Sequence, residues 1–400
     1  MNEEIKINEA NLPEIHHVGL LGKMRVKLHA IMTTNGEFDK RKLVAIVGGV
    51  VLLAGVVVVG VIVASSNKNQ SSYTSLTPEP TKIAVSDPEE PRDKVSPLTG
   101  ELITATAYQE LSRRRPIAVV IENHPDARPQ TGLDQADVVY ETLVEGGITR
   151  FLPIYLSKQP EVVGPVRSLR KYFLDFIGGY NDPLIMHIGY AESTNPEANA
   201  IGELNKRSIK TFGFMGDSFW RVGDRVAPHN AYSNTKQLWQ KADTQSWGGL
   251  NSFDIWSFKD ADARIDAPLV TDLKVVWGSW GENAYTVVWK FNKEENMYQR
   301  YYRSDPHVDA LTGQQLSTRN ILVLYSSQAL ANDGTPRITV EAIGEGQAKL
   351  FMDGDVVTGT WMKPSCTDIY RVYNSAGEDI AFNRGQTWIM VVPKDAEVTH

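Results

Sequence analysis

Hydrophobic and polar positions follow three regimes along this chain. Residues 43–64, LVAIVGGVVLLAGVVVVGVIVA, form an uninterrupted apolar run with no charged side chain. As a helix rising about 1.5 Å per residue, it would span roughly 33 Å, enough to cross a hydrocarbon core of about 30 Å. A helix satisfies its own backbone in lipid, so the run predicts a transmembrane span that acts as a signal anchor. Lys40, Arg41 and Lys42 abut it on the N-terminal side, whereas only Lys68 is close on the other. The positive-inside rule then places residues 1–42 in the cytoplasm as a tail and everything after residue 64 outside. Residues 65–97, rich in Ser, Asn, Thr, Pro and acidic side chains with little apolar clustering, read as an extracytoplasmic linker.

From residue 98 the pattern becomes that of a folded protein. Residues 117–121 are a buried-type strand ending in Glu122-Asn123-His124-Pro125. The stretch ADVVYETLVEGGITRFLPIYLSKQPEVVGPVRSLRKYFLD organises the rest of this region. It holds a strand at 138–143, a turn at Gly146-Gly147, a second strand at 151–156, and a switch to helical spacing at GPVRS. There Ser168 is expected to cap a helix whose first turn Arg167 and Arg170 flank. A strand at 184–188 carrying His187, a helix after Asn195-Pro196, and a short helix at 235–242 complete a mixed α/β domain over 98–257.

Beyond the polar segment FKDADARIDAP the helical period disappears. Nine short strand-like runs take its place, at 273–277, 284–291, 297–302, 320–325, 338–342, 348–352, 356–361, 369–372 and 387–392. Asp353-Gly354 is a hairpin signal between two of them. Residues 258–400 thus read as an all-β domain, and the fold class as α+β. Trp277, Trp280, Trp289, Trp361 and Trp388 are read most simply as its core, with a carbohydrate-binding face as the sharper alternative.

Composition narrows the function. A chain of 400 residues with a net charge of −7 is not a general nucleic-acid binder. With Cys366 as its single cysteine it cannot form an intramolecular disulfide or a cysteine-based metal site. No G-x-S-x-G, H-E-x-x-H, P-loop or G-x-G-x-x-G signature is present, and the histidines show no metal-ligand spacing in sequence. No cofactor and no metal are expected. The chemistry that remains is a set of arginines, Arg150, Arg167, Arg170 and Arg225, with His187, His229 and Asn230, a constellation suited to phosphate or carboxylate. Glu122, Glu141 and Glu145 would either hold a divalent cation or pair with the arginines in a structural ion-pair network. Sequence alone leaves these two readings open.

The segments ENHPDARPQTGLDQADVVYETLVEGGITRF, VGPVRSLRKYFLDF, RVAPHNAY, GTWMKPS and NRGQTWIMVVP resemble the YerB-like family of bacterial envelope proteins across nearly all of residues 96–400. The resemblance implies a two-domain extracytoplasmic protein of unknown function, typically lipid-anchored through an N-terminal cysteine, and brings no catalytic residues with it. This chain departs from that pattern, with the apolar run 43–64 standing where the anchoring cysteine would be. The order strand, ITR, strand, GPVRS, helix is also similar in outline to the LytR-CpsA-Psr phosphotransferases, although their acidic-arginine motifs are not reproduced residue for residue. The expectation is a single-pass cell-membrane protein whose outer part recognises an anionic wall-polymer or lipid-linked component. A protein-binding envelope module and a phosphotransferase-like enzyme are the alternatives.

Overall fold

The computed structural model describes residues 90–249, 256–261, 270–281 and 283–400, together with the backbone of two short strands in the N-terminal region. The chain divides into two compact units, Met1–Glu79 and Pro80–His400. In the first, strands Thr33–Thr34 and Glu37–Phe38 pair antiparallel. The apolar run 43–64, its orientation and residues 65–89 of the linker lie outside the described residues. The last part of the expected linker belongs to the fold: Arg92–Val95 pairs antiparallel with Leu102–Thr104, and Ser96 is buried. Among the described residues, no helix is long and apolar enough to cross a membrane.

The second unit is mixed α+β. Its larger sheet takes strands from both ends of the sequence. From the first half come β1 (Ile117–Val119), β2 (Ile121–Glu122), β3 (Val138–Leu143), β4 (Thr149–Tyr155) and β5 (Leu184–Met186). A smaller antiparallel sheet contains β6 (Asp272–Val276), β7 (Val287–Asn292) and β8 (Met297–Tyr302). The larger sheet is completed by β9 (Asn320–Ser326), β10 (Gly344–Met352), β11 (Asp355–Lys363), β12 (Arg371–Tyr373) and β13 (Thr387–Pro393). Its order is β12-β11-β10-β9-β13-β3-β4-β1-β5, with β2 also on β4. β13 runs parallel to both neighbours, β9 and β3, and every one of its residues is buried. That fits TWIMVVP, a run with no polar alternation, since a parallel central strand is covered on both faces.

The strand pattern of the sequence is therefore realised, while its division at 258 cuts through one sheet. The last buried strand of the chain slots in beside β3, so residues of the β-rich half complete the sheet begun by the α/β half. Pairing across some 250 residues leaves no local sequence signal, which is why the run at 387–392 could be recognised as a strand but not placed. Asp353 and Gly354 form the expected hairpin tip between β10 and β11, both at positive φ. Trp277, Trp289, Trp361 and Trp388 are buried core side chains.

Alternation along β3 sets what lies on each side of the large sheet. Tyr140 points to helix α1 (Lys171–Ile177), stacking on Phe176 at 5.3 Å between ring centroids. Its neighbour Glu141 points the other way, to Arg300 of β8. Helix α1 begins at Lys171, two residues later than a cap at Ser168 implies, with no side-chain cap. The Ser168 hydroxyl is engaged elsewhere, donating to the Ile188 carbonyl at 3.0 Å. The helix is only two turns long because Gly178 and Gly179 end it against the loop at Cys366–Asp368. A Cβ on Gly178 would stand 2.0 Å from the Cys366 carbonyl oxygen.

That contact can be tested. Gly178→Ala forces two backbone segments apart, and overpacking of this kind costs about 1–3 kcal/mol. A lowered urea midpoint is expected, and an unchanged one would show that the helix end and the loop move freely past each other.

Candidate functional site

The site is assembled by a narrow strip of backbone. In the segment 163–167, Glu122 N–H donates to the Pro165 carbonyl and Arg167 N–H to that of Val120 on one side. On the other side Val166 N–H donates to Ala231, and Val163 exchanges hydrogen bonds with Ser233. Gly164, at φ +151, permits this double pairing, because a Cβ there would meet the Ala231 oxygen and the Tyr232 ring at 2.9 Å. The consequence is that Glu122, Arg167 and His229, far apart in sequence, share one ledge. The Gly164-Pro165 bond is cis, as are Arg128-Pro129 and Ala227-Pro228 nearby.

Glu122 is buried and is the hub of the ledge. One carboxylate oxygen lies 2.9 Å from Arg167 Nε, and the other accepts from His229 Nδ1 at 3.0 Å. The Arg167 contact is a charge contact lacking hydrogen-bond alignment, for its Nε has no acceptor in line. Among the described residues the two terminal nitrogens of Arg167 donate to no protein group. The His229 ring stacks on His124 with centroids 4.8 Å apart, and Asp126 stands beside both.

Arg150 and Arg170 form a second group behind Ser168. Arg150 is buried and donates to the Ser168 carbonyl at 2.8 Å. Arg170 grips Glu145 with two nitrogens and also donates to the Leu169 carbonyl at 2.9 Å. Burial resists ionisation of Glu145, but the hydrogen bond from Arg170 and the charges of Arg150 and Arg170 outweigh it and hold the carboxyl at about 2. Arg150 is lowered to about 10, first by burial and then by repulsion from Arg170.

Arg225 and Asn230 serve the loop that carries His229. Arg225 donates to the carbonyls of Ala127 at 2.7 Å and Pro129 at 2.8 Å, tying the 221–230 loop to the His124 turn. Asn230 donates to Val222 and Arg225 carbonyls and accepts from Arg221. His187 is apart from the ledge. It is fully buried, its Nδ1 2.8 Å from the Gly189 carbonyl and Gly213 close against its ring.

The structure also brings in residues that the sequence alone did not single out. Beneath the ledge a closed circuit of buried side chains runs through both halves of the unit. Arg300 donates to both oxygens of Glu141 at 2.9 Å and to His307 Nδ1 at 2.5 Å. His307 Nε2 then donates to Gln130 at 2.8 Å, and Gln130 donates to the Asn123 side chain and the Glu122 carbonyl. Asn123 donates to Thr149 at 2.6 Å, and Thr149 returns to Glu141 at 3.0 Å. Burial and the charges of Arg300 and Arg128 push His307 well below the usual histidine range, so it is neutral and can accept from one side while donating to the other. Each of the three glutamates weighed as a cation ligand thus meets an arginine: Glu122 with Arg167, Glu141 with Arg300, Glu145 with Arg170. The available signal for Arg300 was the period of two in MYQRYY, which puts it on the same face as Tyr298 and Tyr302.

Fold and ledge together define a two-sheet α+β protein with a polar, arginine-bearing face beside β2. A family model described as the N-terminal domain of a protein of unknown function, DUF3048, matches residues 98–248, and its C-terminal counterpart matches residues 276–389. A Bacillus subtilis (strain 168) protein named "Putative lipoprotein YerB" is 33% identical over 310 residues, 76% of this chain and 88% of that one. The crystal structure of the Bacillus subtilis YerB protein matches with a TM-score of 0.65 at 28% identity, covering 77% of this chain and 100% of the other. The chain belongs to this YerB-like DUF3048 family.

His187 yields a pH prediction. Burial lowers it to about 4, against the opposing hydrogen bond to Gly189. The unfolded chain therefore takes up this proton first as pH falls, and the stabilisation present above about pH 6.5 is lost progressively toward about pH 4. The full difference corresponds to about 3 kcal/mol, and His307 acts in the same direction. His187→Gln should flatten the decline of unfolding free energy across that window, whereas equal slopes for variant and wild type would contradict the assignment.

Proposed function

We propose that this chain is a membrane-anchored extracytoplasmic protein of the bacterial envelope, held by the run at 43–64, that recognises a phosphate- or carboxylate-bearing envelope component at Arg167. The name of its Bacillus subtilis relative, "Putative lipoprotein YerB", supports the location. The observation that carries the recognition is the asymmetry among the arginines. Arg150, Arg170 and Arg225 spend donors on the chain's own carbonyls and on Glu145, while Arg167 keeps its terminal nitrogens without a protein acceptor among the described residues. Three guanidiniums, Arg150, Arg167 and Arg170, surround Ser168 against two carboxylates, Glu122 and Glu145, so an anion would relieve their mutual repulsion. Planar paired donors on Arg167 suit a phosphate or carboxylate edge. The reading is recognition, without turnover.

A second reading, docking of an envelope protein, draws on exposed Phe214 and Tyr190, whose rings meet edge to face at 5.7 Å over the ring of His187.

Arg167→Lys separates binding from folding, since it keeps a cation beside the buried Glu122 while removing the paired donors. Full-length protein in detergent and chelator is titrated with inorganic pyrophosphate and with citrate, following the unfolding midpoint. One of these anions should stabilise the wild type, and Arg167→Lys should weaken that effect roughly tenfold, the loss of one charge-assisted hydrogen bond. A wild type unmoved by either anion, or a variant that responds equally, would overturn the proposal.

A further inference from the structure

The same ledge carries a cluster that the arginines do not use. His124, Asp126 and His229 each bring one ligand atom to within 4.8 Å of the others. They come from two separate segments. His124 precedes the single turn Pro125–Ala127, whose geometry returns Asp126 toward it, with Asp126 N–H donating to His124 Nδ1 at 3.3 Å. His229 arrives on the 221–230 loop, which Arg225 fastens to that turn through the Ala127 and Pro129 carbonyls. Two imidazoles and a carboxylate form a donor set of borderline softness, suited to zinc and its neighbours rather than to magnesium or calcium.

The orientation of His229 points the same way. Its Nδ1 lies 3.0 Å from the buried Glu122 carboxylate, which accepts that proton and leaves the Nε2 lone pair directed outward. Nε2 is the atom that faces Asp126, at 4.0 Å. A carboxylate that holds one ring nitrogen of a histidine while the other faces further ligands is the outer-shell arrangement of zinc-binding histidines. Ligands around zinc stand roughly 3.3 Å apart, so ligand atoms spread over as much as 4.8 Å must close by up to about 1.5 Å. Asp126 already stands 3.5 Å from His124 Nδ1 and 4.0 Å from His229 Nε2, so most of the closing falls to the partly exposed His124 ring, which must turn out of its stack on His229.

We propose that His124, Asp126 and His229 bind one divalent transition ion of the zinc class, with Glu122 as the positioning residue that sets the His229 tautomer. Three protein ligands leave a fourth position open to water or to an anionic group. Glu122 joins this site to the arginine site, since its other oxygen faces Arg167. The metal site nevertheless stands on its own ligands and does not depend on anion recognition.

The test is a zinc titration of the full-length protein, without a polyhistidine tag and free of phosphate, in competition with a fluorescent chelator. One high-affinity zinc per chain is expected. His124→Ala and Asp126→Ala, which alter partly or well exposed side chains, should each weaken it at least tenfold with the urea midpoint unchanged. Glu122→Gln keeps the shape of the side chain but presents a weaker acceptor to His229, and should weaken zinc roughly 10–100-fold, the range seen for outer-shell partners. A wild type that takes up no zinc, or that keeps its affinity in both His124→Ala and Asp126→Ala, would overturn the proposal. Because the pyrophosphate and citrate titrations contain chelator, failure here leaves the Arg167 result standing, and the reverse holds as well.

Discussion

A carboxylate and a guanidinium shut away from water between two sheets govern this structure. Glu141 and Arg300 are both fully buried, and neither could remain charged there alone. The Glu141 carboxylate receives two hydrogen bonds from Arg300, one from Thr149 and one from the Trp388 indole at 3.1 Å. The Arg300 guanidinium lies among the rings of Phe151, Trp289, Tyr302 and Trp388, at 4.7 to 5.7 Å from their centroids. Trp388 sits on β13, Glu141 on β3 and Arg300 on the smaller sheet, so a single interaction fixes how three distant stretches of chain meet. Such a pair adds little net stability over an apolar filling, but it is intolerant of any arrangement that separates its members.

The functional face inherits its order from that constraint. The circuit from Arg300 through His307, Gln130, Asn123 and Thr149 back to Glu141 closes on itself with every member buried. Gln130 also holds the Glu122 carbonyl, and Tyr302 donates to Asn123 at 2.6 Å. The backbone that carries Glu122 and His124 is thereby pinned from below, while the strip 163–167 pins it from the side. What stays adjustable is the outermost layer: Arg167, Asp126 and His124. Rigid support beneath the contacting side chains is what a recognition site requires.

Much of this was legible in the sequence, because period-two and helical patterns are local. All nine runs assigned in the second half overlap strands, and the apolar run V-V-Y-E-T-L announced a buried strand with one acid in it. Of the two readings left open for the glutamates, pairing with the singled-out arginines holds for Glu122 and Glu145, whereas Glu141 meets Arg300, which lies 159 positions away and was not in that set. Ser168 looked like a helix cap because capping is judged from neighbours, whereas its hydroxyl answers to Ile188 on the next segment. The histidines showed no ligand spacing for the same reason. Their proximity comes from the loop at 221–230 folding onto the turn after β2, a contact between segments that no spacing rule describes.

The claim that one buried pair interlocks the two sheets has a direct test in a double-mutant cycle. Glu141→Leu and Arg300→Met are made singly and together, and unfolding free energies are measured by chemical denaturation. Each single change leaves an uncompensated buried charge and should cost about 3–5 kcal/mol, whereas the double variant removes both charges and should cost far less than the sum. Costs that simply add would show that the two residues act independently, and the pair would lose its place as the interaction on which the fold depends.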